Sequence, residues 1–245
     1  GKDSSGNSTD LPGVSFDGAG DSLYVGNSAD YNFTGDFTAE AWLYVNSFSD
    51  DYAGIFGFSH DSDQHGWNVL LRSSGKPHIN VDMNYTDVTG TLPLKKWTHI
   101  ALVRSGSGSG NVKFYINGAA DPTTLTETDE TGTISSSQCM IGTYPGFTTR
   151  DFDGIISNVR LVKGTALYTS NFTPPTAPLA NVTNTVLLCC QSSSSATSAA
   201  VAPGTLTANG DASATSKDDG VWTVTNFTTT STNYVGDITF NSSSG

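Results

Sequence analysis

Between residues 11 and 188 the chain is a series of short runs in which apolar residues recur at every second position, separated by Gly, Pro, Asn and Ser. The clearest is Phe37-Thr38-Ala39-Glu40-Ala41-Trp42-Leu43-Tyr44-Val45. A period of two puts Phe37, Ala39, Ala41, Leu43 and Val45 on one face of a strand. Glu40, Trp42 and Tyr44 occupy the other face, so the strand is expected to be covered at least partly on both sides. Comparable runs are Val14-Ser15-Phe16, Ser22-Leu23-Tyr24-Val25, Gly54-Ile55-Phe56-Gly57-Phe58 and Trp67-Asn68-Val69-Leu70-Leu71-Arg72. Ile79-Asn80-Val81-Asp82-Met83, Trp97-Thr98-His99-Ile100-Ala101-Leu102-Val103-Arg104, Val112-Lys113-Phe114-Tyr115-Ile116 and Gly154-Ile155-Ile156-Ser157-Asn158-Val159-Arg160-Leu161-Val162 continue the series. The alternating Ser-Gly stretch at 105–110 and the dipeptide Asn117-Gly118 are hairpin chemistry. Helical spacing is absent except for one-turn candidates at 28–32 and 165–168. Many short strands without helices predict an all-β sandwich or barrel.

Composition narrows the classes of function. Only three Glu are present against 26 Gly and 9 Pro, which disfavours helices and favours turns. Eleven basic and 23 acidic residues leave a net charge of -12, so no nucleic acid partner is expected. No run approaches the ~18 apolar residues of a membrane helix, and no membrane insertion is expected. The start, Gly1-Lys2-Asp3-Ser4, has neither Met nor an apolar leader and reads as a fragment or processed product. Cys139, Cys189 and Cys190 are an odd number with two adjacent, a pattern that builds no disulfide framework. The vicinal pair reads as reduced thiols at a strand end.

Four segments follow: an N-terminal arm at 1–10, the sandwich at 11–190, a Ser/Ala/Thr/Gly-rich linker or extended arm at 191–217, and a short β appendage at 218–245. The third carries almost no large apolar residue to offset the entropy of ordering. In the fourth, Val221, Trp222, Val224, Tyr234, Val235, Ile238 and Phe240 return to alternation. Two or three such strands are too few to stand alone. They are expected to pack on the main domain or to assemble a homo-oligomer.

Ser15-Phe16-Asp17-Gly18 with Leu23-Tyr24-Val25, Phe37-Thr38-Ala39-Glu40-Ala41-Trp42, the run from Lys96 to Arg104, Phe114-Tyr115-Ile116-Asn117-Gly118, and Asp153-Gly154-Ile155-Ile156-Ser157-Asn158-Val159-Arg160 come in a fixed order. Together they resemble a laminin G-like domain of the concanavalin A-like lectin/glucanase superfamily. That resemblance covers about residues 11–190 and implies a jelly-roll sandwich of two antiparallel sheets. The run from Asn158 to Tyr168, then Asn171-Phe172-Thr173-Pro174-Pro175 and Leu187-Leu188-Cys189-Cys190-Gln191, is similar to modules in structural proteins of marine tailed bacteriophages. It implies a place on a tail fibre, spike or capsid appendage, among other virion proteins.

The glucanases of that superfamily carry paired carboxylates, since retaining hydrolysis needs an acid and a nucleophile about 5 Å apart. No such pair occurs here. Glu40 stands alone and is expected to have a local structural partner, and Glu127 and Glu130 are expected in a solvated loop. None of the four His lies in a nucleophile or zinc motif, and His99 is expected to be structural. Pentraxin-like relatives bind ligands through Ca²⁺, and Asp61 and Asp63 are the weak candidates for such an ion. The matching acidic partners are missing, because Tyr144-Pro145-Gly146-Phe147-Thr148 stands in their place. For a glycan, candidate stacking residues are Trp67, Tyr85, Tyr144 and Phe147, with Asp61, Asp63, His65 and Asn84 as polar company. The seven Asn-x-Ser/Thr triplets follow from the Thr-rich composition.

The resulting expectation is a non-enzymatic, lectin-like virion protein of a tailed phage that contacts host cell-surface glycans. Its alternative is a secreted bacterial glycan-binding or adhesion module, and a glycan hydrolase or lyase ranks below both.

Overall fold

The computed structural model describes residues 11–59, 66–127, 138–144, 147 and 149–217. Sixteen strands form two antiparallel sheets among these residues, as an all-β jelly-roll sandwich requires. The first sheet contains β1 (Leu11–Asp17), β3 (Phe37–Val45), β8 (Trp97–Arg104), β9 (Val112–Ile116), β10 (Ala119–Leu125), β12 (Asp153–Lys163), β13 (Thr185–Cys189), β14 (Ala199–Val201) and β16 (Ser213–Lys217). Its order is β10-β9-β8-β3-β12-β1-β16, with β13 and β14 added beside β12. The second sheet contains β2 (Ser22–Gly26), β4 (Ala53–Ser59), β5 (Gly66–Leu71), β6 (Pro77–Val81), β7 (Asn84–Asp87), β11 (Gln138–Ile141) and β15 (Thr207–Asn209). Its order is β15-β2-β11-β4-β5-β6-β7.

The period-two reading of β3 holds over its full length. Phe37, Ala39, Ala41, Leu43 and Val45 are all buried between the sheets, together with Leu23, Val25, Ile55, Val69, Leu71, Ile79, Val81 and Ile141 from the second sheet. Trp67 is the largest fully buried side chain; it stacks 5.1 Å from Phe33, and its Nε1 donates to the Tyr31 carbonyl at 2.9 Å. The other face of β3 is also covered, because the segment 164–184 crosses it between β12 and β13. Tyr168 and Phe172 stack at 3.6 Å and pack with Ala166 on Ala101, Val103 and Tyr115. Phe172 N donates to the Gly118 carbonyl. A side chain at position 118 would overlap the Phe172 carbonyl, and φ is +77° there, so both the turn and the crossing require glycine.

Asn158, at φ +53°, is the bulge that lets β12 change partners along one edge. Before it β12 pairs with β1, after it with β13, and along the other edge the register with β3 shifts between Ser157 and Arg160. The Asn158 Oδ1 accepts from Leu179 N and Gln191 Nε2, which fixes the bulge from outside the strand.

Several expectations are corrected. Residues 191–217 are extended but no linker: β14 pairs with β13, β15 with β2 in the second sheet, and β16 with β1 in the first. Main-chain bonds to unpaired sheet edges order this arm, and small side chains such as Ala199, Ala208 and Ala212 pack on the core. Residues 165–168 form no helical turn, whereas Ala29–Tyr31 forms a single 3-10 turn capped by Ser28. Glu127 is buried rather than solvated, accepting from Asn84 Nδ2 and, at its main-chain N–H and carbonyl, bonding Asn111. Cys189 ends β13 and its Sγ lies 3.6 Å from that of Cys190, both buried thiols. The 1–10 arm, Glu130 and the 218–245 appendage with Val221, Trp222, Val224, Tyr234, Val235, Ile238 and Phe240 lie outside the described residues.

Candidate functional site

The alternation that sends Trp67, Val69 and Leu71 of β5 into the core sends Asn68 and Leu70 to the outer face of the second sheet. On neighbouring β6, Ile79 and Val81 point inward while His78 and Asn80 point outward. Asn80 is opposite both Asn68 of β5 and Tyr85 of β7, and Gly57 of β4 is opposite Asn68 on the other side. A Cβ on Gly57 would come within 2.5 Å of the Asn68 Cβ, so glycine leaves room for the amide.

Residues 142–144, 147 and 149–152, between β11 and β12, then approach this face. Gly54 permits the approach: a Cβ there would overlap the Thr143 and Tyr144 backbone. Gly54 N and Tyr144 N both donate to the Arg150 carbonyl, at 2.9 and 3.2 Å. Tyr144 and Phe147 stack at 5.0 Å, and the Arg150 guanidinium lies 3.6 Å from the Phe147 ring centre.

The loop and the strands line a cavity of about 270 Å³ that is open to solvent on one side. Asn68, Asn80 and His78 line it from the sheet, Tyr85 from β7, Tyr52 from the turn before β4, and Tyr144 and Arg150 from the loop. Asn68 is 2% exposed, and neither its Nδ2 nor its Oδ1 has a hydrogen-bond partner among the described residues. Leaving such an amide unpaired costs about 1–3 kcal/mol, which a ligand hydroxyl recovers. His78 Nδ1 lies 2.7 Å from Asp87 Oδ1. Burial pulls the imidazole below its ordinary pKa against the opposing pull of Asp87, so the ring is neutral at pH 7. Donation from Nδ1–H to the carboxylate leaves Nε2 as an acceptor.

Of the residues singled out from sequence, Tyr85 and Tyr144 meet in this cavity, and Phe147 sits beside it at 37% exposure. Asn84 does not line it: it pairs with core-facing Val81 rather than with Asn80, and its amide donates to Glu127. Trp67 does not belong: it faces the core, one residue from the outward-facing Asn68. Asp61, Asp63 and His65 lie outside the described residues. Tyr52, Asn68, His78, Asn80 and Arg150 were missed. The signal for three of them was present, since polar residues at alternate positions of β5 and β6 mark an outward face.

An acidic cluster and a buried carboxylate lie elsewhere among the described residues. Asp17, Asp21 and Asp211 bring carboxylate oxygens within 4.8 Å of one another. Asp21 is committed to the backbone, accepting from Asp17 N and Asp211 N, and so ties the arm to the turn between β1 and β2. Glu40, as expected, is structural: it is fully buried, with Oε1 bonded by Arg160 and Oε2 by His99 and Tyr168.

The laminin G family model described as the concanavalin A-like lectin/glucanases superfamily matches residues 17–168. Among solved structures, a candidate carbohydrate-binding protein from Bacteroides ovatus ATCC 8483 is similar at a TM-score of 0.64 and 17% identity. The match covers 88% of this chain and 62% of that one, so the present chain spans under two thirds of its length. A heptameric SAP-like pentraxin from Limulus polyphemus is similar at a TM-score of 0.47 and 15% identity, over 66% of this chain and 80% of that one. Domains LG4-5 of the mouse laminin alpha1 chain give a TM-score of 0.45 and 17% identity, over 62% and 41%. No curated protein matches. The match to the family model spans more than half of the 245 residues and agrees with the two-sheet architecture: this chain belongs to the concanavalin A-like lectin/glucanases superfamily.

Proposed function

We propose that this chain is a non-enzymatic carbohydrate-binding module whose ligand occupies the cavity on the outer face of the second sheet. The buried, unpartnered Asn68 amide at the base of a cavity lined by Tyr52, Tyr85 and Tyr144 carries this reading. Sugar rings present apolar faces for aromatic stacking and hydroxyls that pair with amides. At about 270 Å³ the cavity is at the small end of ligand pockets, which suits one sugar unit of a longer chain rather than a large aglycone. The non-enzymatic part rests on Glu40, whose carboxylate is shut off from solvent and held by three side chains. Reproducible cleavage of any polysaccharide by the chain would overturn it.

Screening on a glycan array, followed by calorimetry, tests the binding site. Tyr85→Ala is expected to weaken the best ligand about tenfold by removing one stacking face, with an unchanged melting temperature because Tyr85 is 61% exposed. Retention of full affinity by Tyr85→Ala and Asn68→Ala would place the ligand elsewhere.

The finer reading is that the module is carried on the virion of a tailed phage, on a fibre, spike or capsid appendage, and contacts host-surface glycans. Its support is the resemblance of the run from Asn158 to Tyr168 and of the residues around Pro174-Pro175 and Cys189-Cys190. The 218–245 segment is then the assembly element, too short to fold alone. Because β14 to β16 belong to the sandwich and the Lys217 carbonyl accepts from Trp97 Nε1, the informative truncation ends after Lys217. Light scattering should show an oligomer for the full chain and a folded monomer for 1–217. A monomer in both cases sinks the assembly role, and a secretion signal upstream in the gene would favour a secreted bacterial adhesion module.

A further inference from the structure

Arg150 is the feature of the cavity that a neutral sugar does not explain. Its guanidinium lies against the faces of Phe147, Tyr52 and Tyr144, at 3.6, 5.2 and 5.4 Å from the ring centres. Stacking engages the flat face of the group and leaves its rim of N–H donors available. No carboxylate of the described residues is within ion-pair distance of it, although the chain has 23 acidic residues against 11 basic ones. The nearby carboxylates are already engaged. Arg72 holds Asp51 at 2.8 Å and Asp87 at 3.1 Å, and His78 shares Asp87. None of the described residues lining the cavity is acidic. An arginine oriented by three rings, facing a small cavity and without a counter-ion among the described residues, is suited to receive one anionic group.

Building on the carbohydrate reading above, we propose that the cavity takes an acidic sugar, with the sugar's carboxylate on the rim of Arg150 and its hydroxyls on Asn68. The two observations are independent. Asn68, buried and unpartnered, offers one donor pair and one acceptor, the complement of adjacent ring hydroxyls. Arg150 offers parallel N–H donors spaced for a carboxylate. Among the described residues Arg150 is the one full positive charge lining the cavity, and the imidazole that also lines it is neutral, which matches a singly charged group such as a uronate better than a phosphate dianion. The protein's overall charge of -12 repels polyanions at long range, so recognition has to be local, as a single short-range fork provides.

The test compares oligogalacturonates with their carboxyl-reduced, neutral counterparts, beside an array of uronate-, sialate- and sulfate-bearing glycans. The full chain should bind at least one carboxylate-bearing glycan about tenfold or more tightly than its neutral counterpart, and raised salt should narrow the gap. Arg150→Gln should abolish that preference, and Arg150→Lys should restore only part of it, because a point charge lacks the fork. The Arg150 main-chain carbonyl that receives Gly54 and Tyr144 is untouched by either change, so melting temperatures should stay level. Binding of neutral glycans that depends on Tyr85 but is unaffected by Arg150→Gln would overturn the acidic-sugar assignment and keep the carbohydrate reading. A preference for sulfated over carboxylated glycans would likewise overturn the carboxylate assignment. Binding to no glycan at all would overturn both.

Discussion

Glu40→Ala is expected to lower the folding free energy by about 3–5 kcal/mol, read as a fall in the urea midpoint, because it leaves a buried guanidinium without its counter-ion. Arg160 stands opposite Glu40 across β12 and β3, and its Nε and Nη2 donate to Oε1 at 2.8 and 2.6 Å. His99 of β8 and Tyr168 of the crossing segment meet Oε2 at 3.0 and 2.8 Å. One carboxylate therefore ties three adjacent strands to the segment that covers them. Glu40→Gln keeps the shape but turns a donor toward one of these donors, and should cost less than the alanine. The pH dependence has a definite sign. Burial pushes the Glu40 carboxyl up, but the His99 hydrogen bond and the Arg160 guanidinium outweigh it and hold the group below the usual glutamate range. A carboxyl depressed in the folded state contributes its full stabilisation above the unfolded value of about 4.3 and loses it as pH falls through the folded value. Wild-type stability should therefore decline below about pH 4.3 more steeply than that of Glu40→Gln. Equal slopes in acid would mean that Glu40 is not ionised in the fold.

What could be read in advance follows from which interactions are local. The alternation in β3 is visible because a strand shows its two faces at adjacent positions, and the buried set at 37, 39, 41, 43 and 45 is the set the pattern predicts. The local partner expected for Glu40 is present in Arg160, His99 and Tyr168, although none of the three is near it in sequence. The arm at 191–217 is extended, one of its two expected forms, and its strands were not legible in composition: few apolar side chains mark it, whereas β15 and β16 are ordered by main-chain bonds to strand edges. Trp67 illustrates the same limit at one residue. An aromatic beside turn formers is equally plausible facing in or out, and the register that decides it comes from pairing with β4 and β6. Arg150 carried no local signal, since it reaches the cavity from a loop that follows β11, far along the chain from β5 and β6.

The loop's seat on β4 gives the second large effect. Gly54→Ala should destabilise the fold by about 1–3 kcal/mol and also remove glycan binding, because the added methyl overlaps the Thr143 and Tyr144 backbone rather than a side chain that could swing away. The strand cannot retreat, since Ile55 is buried in the core beside it. The loop must therefore lift, breaking the Gly54 N to Arg150 carbonyl bond and carrying Tyr144, Phe147 and Arg150 away from Asn68 and His78. Gly35→Ala is the matched control: nothing lies within 4 Å of the added carbon, so stability should stay level or rise slightly. The two readouts separate two origins of the loss. If Gly54→Ala melts earlier yet binds as tightly as the wild type at a temperature where both are folded, the loop contributes stability but no part of the site. If binding falls by more than the fraction unfolded accounts for, the cavity is a product of this contact, and one missing side chain on β4 is what allows a sheet face and a distant loop to act as a single receptor.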